Sequence, residues 1–479
     1  MNRVAVRMGM VVIAFIIVVG GAGAGIFYLF NQHFYFDPPK PDYPKPATAL
    51  EAQRQDLDYF RKAMELDRSF APAAREEAEH RVTALEKLPA ALPEQKLHVA
   101  LMRIMALADN GHSKMRASRG DARIPLEPVR VTRFAEGFFV MRAKASYRDM
   151  LGGRVESIDG VPFDDVLKQL KTLRGGKDSF RAENAAVFIE DHELLYGLGI
   201  ARDPKQSEWT VRMPDGRLIK HTLVVGVEKG DALFTYGPRW RSPDPKKEMG
   251  PGWFAYSPAH GMLPQSLRNI DNHFSRAPVP DTCAEYVRVQ NIVDTDGQEI
   301  QPFLKDTEAG LRAHKPCAII FDLRGNGGGD YTNMWRFTHN LPELTTGRIF
   351  VLTDAMTFSA AITTTAFTKE AGGDRVTIIG EPVGDRLAFY AEGGNAVLPN
   401  SKFSLSYETG KHDYAHPCRD WHNCFWLNWL YPVRVKTLQP DILAPMTFRD
   451  WNAGRDIAYE TAVGLIQKSR QGLIIPTAN

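Results

Sequence analysis

The sequence predicts an α/β protein whose largest domain is built on a mostly parallel sheet. From residue 284 onward, apolar strand-like runs such as "CAIIFDL", "GRIFVLT" and "RVTIIGEPV" alternate with helix-like segments. This alternation is typical of right-handed crossovers that place helices against a parallel sheet. Residues 121–235 instead combine short strand patterns with a hairpin turn at Pro214–Gly216, which predicts a small mixed domain. We assign residues 252–466 to the domain with the parallel sheet.

Length and charge narrow the class of protein. The chain has 479 residues, of which 44% are hydrophobic, enough for about two or three packed domains. The formal net charge of +2 is spread along the chain. Nothing therefore indicates a nucleic-acid surface, and we expect no nucleic-acid partner.

The N-terminus contains a long uncharged segment. Residues 8–30 carry no charged side chain and are long enough to cross a bilayer as a helix. Arg3 and Arg7 precede them, which favours a cytoplasmic N-terminus and an exported remainder. The alternative is a cleaved signal peptide, since the small residues at 22–24 resemble a cleavage site. Apolar residues continue beyond that site, so we favour an uncleaved anchor over residues 1–34, with the rest of the chain in the periplasm.

Two further regions precede the mixed domain. Residues 35–48 include the proline-rich stretch "FDPPKPDYPKP", which predicts a stiff spacer that holds the folded part off the membrane. Residues 49–120 have helical periodicity, with Leu97, Leu101 and Ile104 on one face. The helical pattern stops at "DNGHS", a sequence typical of a turn.

The four cysteines are compatible with an exported protein. Cys418 and Cys424 are close enough in sequence for a disulfide that closes a local loop, whereas Cys317 opens an apolar strand and is expected to be buried. A metal site is the alternative, because three histidines lie in the same stretch: His412, His416 and His422. Their spacing fits no zinc pattern, so we predict neither a metal nor a cofactor.

The stretch "IIFDLRGNGGGD", residues 319–330, runs from a strand into a glycine loop. A nucleotide phosphate is one possible ligand, but a G-x-G-x-x-G fingerprint would end on Asp330, and no Gly-Lys-Ser/Thr follows. A simple turn or a closely packed crossover remains the other interpretation.

A serine follows the next strand. In "VLTDAMTFSAA", Ser359 comes at the start of a helix, where the helix dipole and free amides favour negative charge. A serine at this position can also be an ordinary helix cap. Because parallel strands end at the same edge of a sheet, the amides of Gly327 or Gly328 and of Ala360 would converge beside the hydroxyl. The pattern predicts an oxyanion hole and a nucleophilic serine.

A nucleophilic serine needs a base. His112 is the candidate because it lies in a polar turn and an imidazole transfers protons near neutral pH. Glu392 is the first choice to orient the imidazole, and Glu408 is the second. The alternatives are a solvated loop histidine and two surface carboxylates.

Taken together, these segments resemble the C-terminal processing peptidases, also called tail-specific proteases. The matching motifs occur in the family's order over residues 95–462, and "DLRGNGGG" followed by the serine is the most specific. The resemblance implies a crotonase-like core, a degenerate PDZ-like domain that binds an extended peptide, and hydrolysis of peptide bonds. Ser359 falls on the family's nucleophile, and Gly328 and Ala360 fall on its oxyanion donors.

The base departs from the commonest form of that family. Where the serine/lysine members carry a lysine, "GEPVGDRLAF" has Asp385 and Arg386, and arginine is a poor base. His112 instead matches the histidine of the tricorn-like branch, whose acidic residue has no glutamate counterpart here. We therefore expect a membrane-anchored, extracytoplasmic serine peptidase. The alternatives are a noncatalytic peptide- or ligand-binding protein on the same fold, and acyl chemistry on a non-peptide substrate.

Overall fold

The structure is a computed structural model that describes residues 25–470 apart from 118–122, 230–240, 243–251 and 259–262. Its first element is helix α1, at residues 25–34. Among the described residues no helix is long and apolar enough to cross a membrane. Most of the expected anchor, residues 1–24, lies outside the described part of the chain.

Three helices follow: α2 (Ala49–Met64), α3 (Pro72–Glu86) and α4 (Glu94–Met105). The hydroxyl of Thr48 begins α2 by accepting a hydrogen bond from the Glu51 amide at 3.1 Å. The apolar face expected for α4 is buried, with Leu97, Leu101 and Ile104 at most 5% exposed. The helical prediction for this segment is confirmed, and the chain then turns into strand β1 (Lys114–Ala117).

The proline-rich segment does not stand free as a spacer. The Tyr59 hydroxyl of α2 donates to the Pro39 carbonyl at 2.7 Å, and the Gln55 amide donates to the Pro44 carbonyl at 3.0 Å. The Tyr43 hydroxyl donates to Asp58 at 2.7 Å. The spacer interpretation was wrong because proline content predicts an extended backbone but not what that backbone packs against.

The mixed domain is built on a sheet with strand order β10-β4-β5-β7-β8, where β3 pairs with β4 and β6 with β5. The expected hairpin joins β7 and β8, and Gly216 in its turn has a φ of 89°, as a left-handed turn residue requires. The elements of this domain are β2 (Arg123–Leu126), β3 (Val129–Phe134), β4 (Gly137–Lys144), β5 (Arg154–Ile158), β6 (Val161–Pro162), α5 (Phe163–Lys171), α6 (Asp178–Phe188), α7 (His192–Gly197), β7 (Gln206–Arg212), β8 (Leu218–Val224), β9 (Gly226–Lys229) and β10 (Trp253–Ala255).

The main domain contains a six-stranded sheet with strand order β11-β12-β13-β14-β15-β18, parallel except for the edge strand β11. Alternate side chains of β13 pack into two different apolar clusters, so both faces of the sheet are covered. The predicted strand–helix alternation is confirmed. Its elements are β11 (Phe274–Pro278), β12 (Glu285–Val289), α8 (Ile300–His314), β13 (Ala318–Asp322), α9 (Thr332–Leu344), β14 (Arg348–Thr353), α10 (Ala360–Gly372) and β15 (Val376–Gly380).

A second, antiparallel sheet links the two ends of the sequence. Its order is β1-β17-β16, so the strand that follows the His112 turn pairs with a strand of the C-terminal half. The remaining elements are β16 (Ala388–Val397), β17 (Phe403–Asp413), α11 (Leu427–Leu430), β18 (Ile442–Leu443), α12 (Phe448–Asn452) and α13 (Ile457–Arg470).

All four cysteines form disulfides. Cys418 and Cys424 are bonded as predicted. Cys317, expected to be a simple buried residue, is bonded to Cys283 instead. Cys283 precedes β12 and Cys317 precedes β13, and these are neighbouring parallel strands, which brings the two sulfurs together.

Candidate active site

The glycine loop after β13 is held in place by a buried arginine. The Arg324 guanidinium donates to Asp322 at 2.6 and 3.0 Å and to Asp456 at 2.7 and 3.0 Å. Both carboxylates are at most 3% exposed. Asp322 also accepts a hydrogen bond from the Tyr286 hydroxyl at 2.8 Å. The "DLR" part of the motif and the distant Asp456 are therefore structural supports, which the sequence interpretation had not assigned.

The glycine loop and the serine turn lie against each other, as the sheet topology predicted. The Gly325 amide donates to Asp354 at 3.0 Å, and the Phe358 amide donates to the Asn326 carbonyl at 2.9 Å. The Thr357 hydroxyl bonds the Leu323 carbonyl at 3.0 Å. These three hydrogen bonds fix the residue before Ser359 relative to the loop.

Ser359 occupies the position before the first residue of α10, with φ 54° and ψ −126°. These angles match the first central position of a type II′ turn, which normally requires glycine. A non-glycine residue held there costs on the order of 1–3 kcal/mol, and such strain clusters at functional sites. The Ser359 side chain makes no capping hydrogen bond to α10. The helix-cap interpretation of Ser359 is therefore wrong.

The amides around Ser359 are not equivalent. A Cβ on Gly328 would lie 2.6 Å from the Ser359 Cβ and 2.9 Å from the Ala360 nitrogen, so only glycine fits there. However, the Gly328 amide donates to the Asn326 side chain at 2.9 Å. In this arrangement Gly328 provides space and is not available as the expected oxyanion donor. Among the described residues the Ala360 amide has no partner, and open space surrounds Gly327.

The turn that carries His112 is pinned on both sides. Asp385 accepts a hydrogen bond from the Gly111 amide at 3.2 Å, and Arg174 donates to the Gly111 carbonyl at 2.7 Å. Arg386 bonds Asp109 at 2.7 Å. Asp385 and Arg386 therefore hold the histidine turn in position.

The His112 ring lies in a column of five stacked rings. It stacks on Phe358, the neighbour of Ser359, with centroids 4.3 Å apart, and on Phe389 at 5.5 Å. Phe180 continues the column beyond Phe358 at 4.3 Å, and His412 continues it beyond Phe389 at 5.1 Å. Phe180 belongs to α6, so this helix of the mixed domain reaches the site.

His112 is partly buried, and its ring nitrogens make no hydrogen bond. Both ring nitrogens are inaccessible and have no partner within the described residues, so the structure contains no hydrogen bond from His112 to Ser359. Burial, together with the charge of Lys114, holds the pKa of His112 well below its usual value. The imidazole is therefore neutral at pH 7 and able to accept a proton.

Lys114 was missed by the sequence interpretation. It lies two residues after His112 on β1, and burial lowers its pKa to about 7, helped by Arg174 and Arg116. An uncharged lysine is itself a possible proton acceptor. A lysine two positions from a candidate histidine in a buried strand was the available signal.

The two candidate acids have different surroundings. The Glu392 carboxylate accepts a short hydrogen bond from the Tyr35 hydroxyl and lies 3.5 Å from His412. Burial opposes its ionisation, yet His412 and Tyr35 hold the pKa of Glu392 below its usual value. It makes no contact with His112, and the Phe389 ring separates His412 from His112. The role predicted for Glu392 thus lacks a supporting contact.

Glu408 fits the predicted acidic role better than Glu392 does. Lys114 pairs with Ser406 in the antiparallel register of β1 and β17. Two residues further along, an extension of that register places His112 opposite Glu408. Burial and the nearby Asp67 raise the pKa of Glu408 well above its usual value.

The structure is an α/β protein with the fold of mature CPAF. The chain is similar to mature CPAF, with a TM-score of 0.55 and 12% identity over 89% of this chain and 98% of that one. It is also similar to mature CPAF complexed with lactacystin, with a TM-score of 0.53 and 13% identity over 89% and 99% of the two chains.

The photosystem II D1 C-terminal processing protease aligns over 86% of this chain and 99% of that one. Its identity is 13%, and its TM-score of 0.35 is too low to establish a common fold. No protein-family model and no curated protein matches the sequence.

Proposed function

We propose that the chain is a serine peptidase in which Ser359 is the nucleophile. The observation that carries this proposal is the backbone of Ser359, held at φ 54° before a helix that its hydroxyl does not cap. A serine that served only as a helix cap would have an extended backbone, and its hydroxyl would accept a hydrogen bond from a helix amide. The CPAF-like fold and the sequence motifs support the same class, with a crotonase-like core and a PDZ-like domain.

The reaction follows from the groups around the serine. The Ser359 hydroxyl attacks the peptide carbonyl and passes its proton to the neutral His112, which later gives it to the leaving amine. The Ala360 amide, at the start of α10, donates to the oxyanion that forms, and the helix dipole acts in the same sense. An amide of the glycine loop supplies the second donor. Because His112 makes no hydrogen bond to Ser359 at rest, substrate binding must bring the two together.

The third member of the site is proposed to be one of the two candidate glutamates, Glu392 or Glu408. Glu408 is favoured by its register position on β17, whereas Glu392 is already bonded to Tyr35. Glu408→Gln should lower kcat more than Glu392→Gln, because it replaces the carboxyl that the strand register places opposite the imidazole. A larger effect of Glu392→Gln would reverse the assignment.

A groove on the mixed domain is suited to the substrate chain. A cavity of about 470 Å³ lies between the start of β4 and helix α5, lined by Phe134, Gly137, Phe138, Phe163 and Leu167 among others. The PDZ resemblance implies that an extended polypeptide would lie there.

We also infer that the protein is exported and anchored by its N-terminal segment. The uncharged residues 8–30 support an anchor, and two disulfides support an oxidising compartment such as the periplasm.

The test combines active-site labelling with hydrolysis of an unfolded protein. A fluorophosphonate should label the wild-type chain and the control Ser275→Ala, whose serine lies on edge strand β11. Ser359→Ala should lose both labelling and cleavage while remaining folded. Labelling or turnover that survives in Ser359→Ala would refute the assignment.

The second candidate is a noncatalytic peptide- or ligand-binding protein on the same fold. The missing hydrogen bond between His112 and Ser359 favours it. In that case the wild-type chain would bind peptides without cleaving them and would not react with fluorophosphonate.

A further inference from the structure

The first helix of the structure is apolar on all sides at its N-terminal end. Ile26, Phe27, Tyr28 and Leu29 are between 59% and 68% exposed. Consecutive helical residues point in directions about 100° apart, so no single protein surface covers all four. A helix with this distribution is stable in apolar surroundings.

The other end of α1 is fixed to the main domain. Phe34 is fully buried in the core that also contains Phe358, and the Thr409 hydroxyl donates to its carbonyl at 2.7 Å. The next residue, Tyr35, bonds Glu392. The exposed end of α1 therefore has a fixed position relative to the candidate active site.

Exposed aromatic side chains lie beside α1. We define the aromatic patch as Trp421, Trp426, Trp429 and Leu430, of which Trp421, Trp429 and Leu430 are 62%, 41% and 71% exposed. The His33 ring of α1 stacks on Trp426 at 4.9 Å, and Trp426 contacts Trp421 at 4.3 Å. Phe30 also contacts Trp426, so the patch lies against the half of α1 that follows its apolar N-terminal end.

The patch is held by a disulfide and by two indole hydrogen bonds. The Cys418–Cys424 disulfide closes the loop that carries Trp421. The indole nitrogens of Trp426 and Trp429 donate to the carbonyls of Trp421 and Cys418 at 3.0 and 3.2 Å. The exposed surface of the patch is therefore mainly that of aromatic rings. Tryptophan is enriched where proteins meet the lipid headgroup layer.

We propose that the aromatic patch rests in the interfacial layer of the bilayer that holds the N-terminal segment. The proposal depends on the membrane anchor inferred above. The uncharged residues 8–24 lead directly into α1, and α1 is only about 15 Å long at 1.5 Å per residue. Lipid at its N-terminal end is therefore within reach of the patch. The main domain then lies on the membrane surface.

The charges of the loop closed by the Cys418–Cys424 disulfide indicate which class of lipid it would contact. Its residues 418–424 contain one arginine and one aspartate, so its charged side chains cancel and the contact is apolar. A zwitterionic bilayer should be sufficient.

The experiment uses the full-length chain in phosphatidylcholine vesicles. Lipids brominated near the glycerol end of the acyl chains should quench part of the fluorescence of the eight tryptophans. The double variant Trp421→Phe/Trp429→Phe should lose most of that quenching. The control Trp253→Phe should keep it, because Trp253 lies on β10 of the mixed domain between Arg130 and Lys144.

Flotation and hydrolysis, measured on the same samples, separate the possible failures. Equal quenching of wild type and double variant, in chains that float with the vesicles, would overturn the inference and leave the anchor standing. Chains that do not float would overturn both. Cross-linked dimers without quenching would show that a second copy covers the patch, which also overturns it. Loss of hydrolysis alone concerns only the proposed peptidase activity.

Discussion

Ser359→Gly should produce a protein that is inactive and more stable than Ser359→Ala. Both variants lose the hydroxyl, but only glycine adopts φ 54° and ψ −126° without strain. Comparison with the alanine variant removes the contribution of the hydroxyl itself. The difference between the two variants therefore reports the strain at this position.

The magnitude follows from two opposing effects. Relief of the strained conformation contributes about 1–3 kcal/mol. The extra freedom of glycine in the unfolded chain offsets about 0.5–1 kcal/mol of that gain. The net gain expected for glycine over alanine is on the order of 0.5–2 kcal/mol, and each kcal/mol shifts Tm by about 1 °C in a chain of this size.

The assay is denaturant unfolding of the two variants beside wild type, with Ala309→Gly as a matched control. Ala309 is exposed in the middle of α8, where glycine should cost about 1 kcal/mol. Compared with alanine at the same position, glycine should therefore stabilise the chain at position 359 and destabilise it at position 309. If Ser359→Gly is less stable than Ser359→Ala by as much as Ala309→Gly is less stable than wild type, the strain argument fails.

Two other predictions concern buried charge. Arg324→Met leaves Asp322 and Asp456 buried without their partner and should cost about 3–5 kcal/mol by denaturant unfolding; a cost below about 1 kcal/mol would show that the network is not structural. Burial lowers the pKa of His112 in the folded chain, so acid protonates the unfolded chain first. Between pH 8 and pH 5 wild type should therefore lose more stability than His112→Phe, by about 2 kcal/mol at most, and parallel pH curves would contradict this.

Local sequence patterns predicted the elements whose signal is contained in a single segment. The strand–helix alternation around β13 and β14 placed the glycine loop and Ser359 at the same sheet edge, because strand ends follow from order and handedness. The Cys418–Cys424 disulfide was predictable from its short spacing.

Other features depend on partners that lie far apart in the sequence. The pairing of β1 with β17 sets the position of Glu408 relative to His112, and no local pattern encodes it. The Asn326 side chain that occupies the Gly328 amide is visible only once the loop is folded. Tyr35 similarly reaches Glu392 across most of the chain. These features are tertiary contacts, which local propensities do not determine.

The burial of Phe34 has a practical consequence for producing the protein as a shortened fragment. A shortened chain that starts after residue 36 would expose the apolar surface where Phe34 now contacts Phe425 and Trp426. It would also lack the Tyr35 hydroxyl that bonds Glu392. Recombinant versions that begin at residue 31 would keep both contacts while omitting Ile26 to Leu29. Such a start site is the better choice for crystallisation and for kinetic work without detergent.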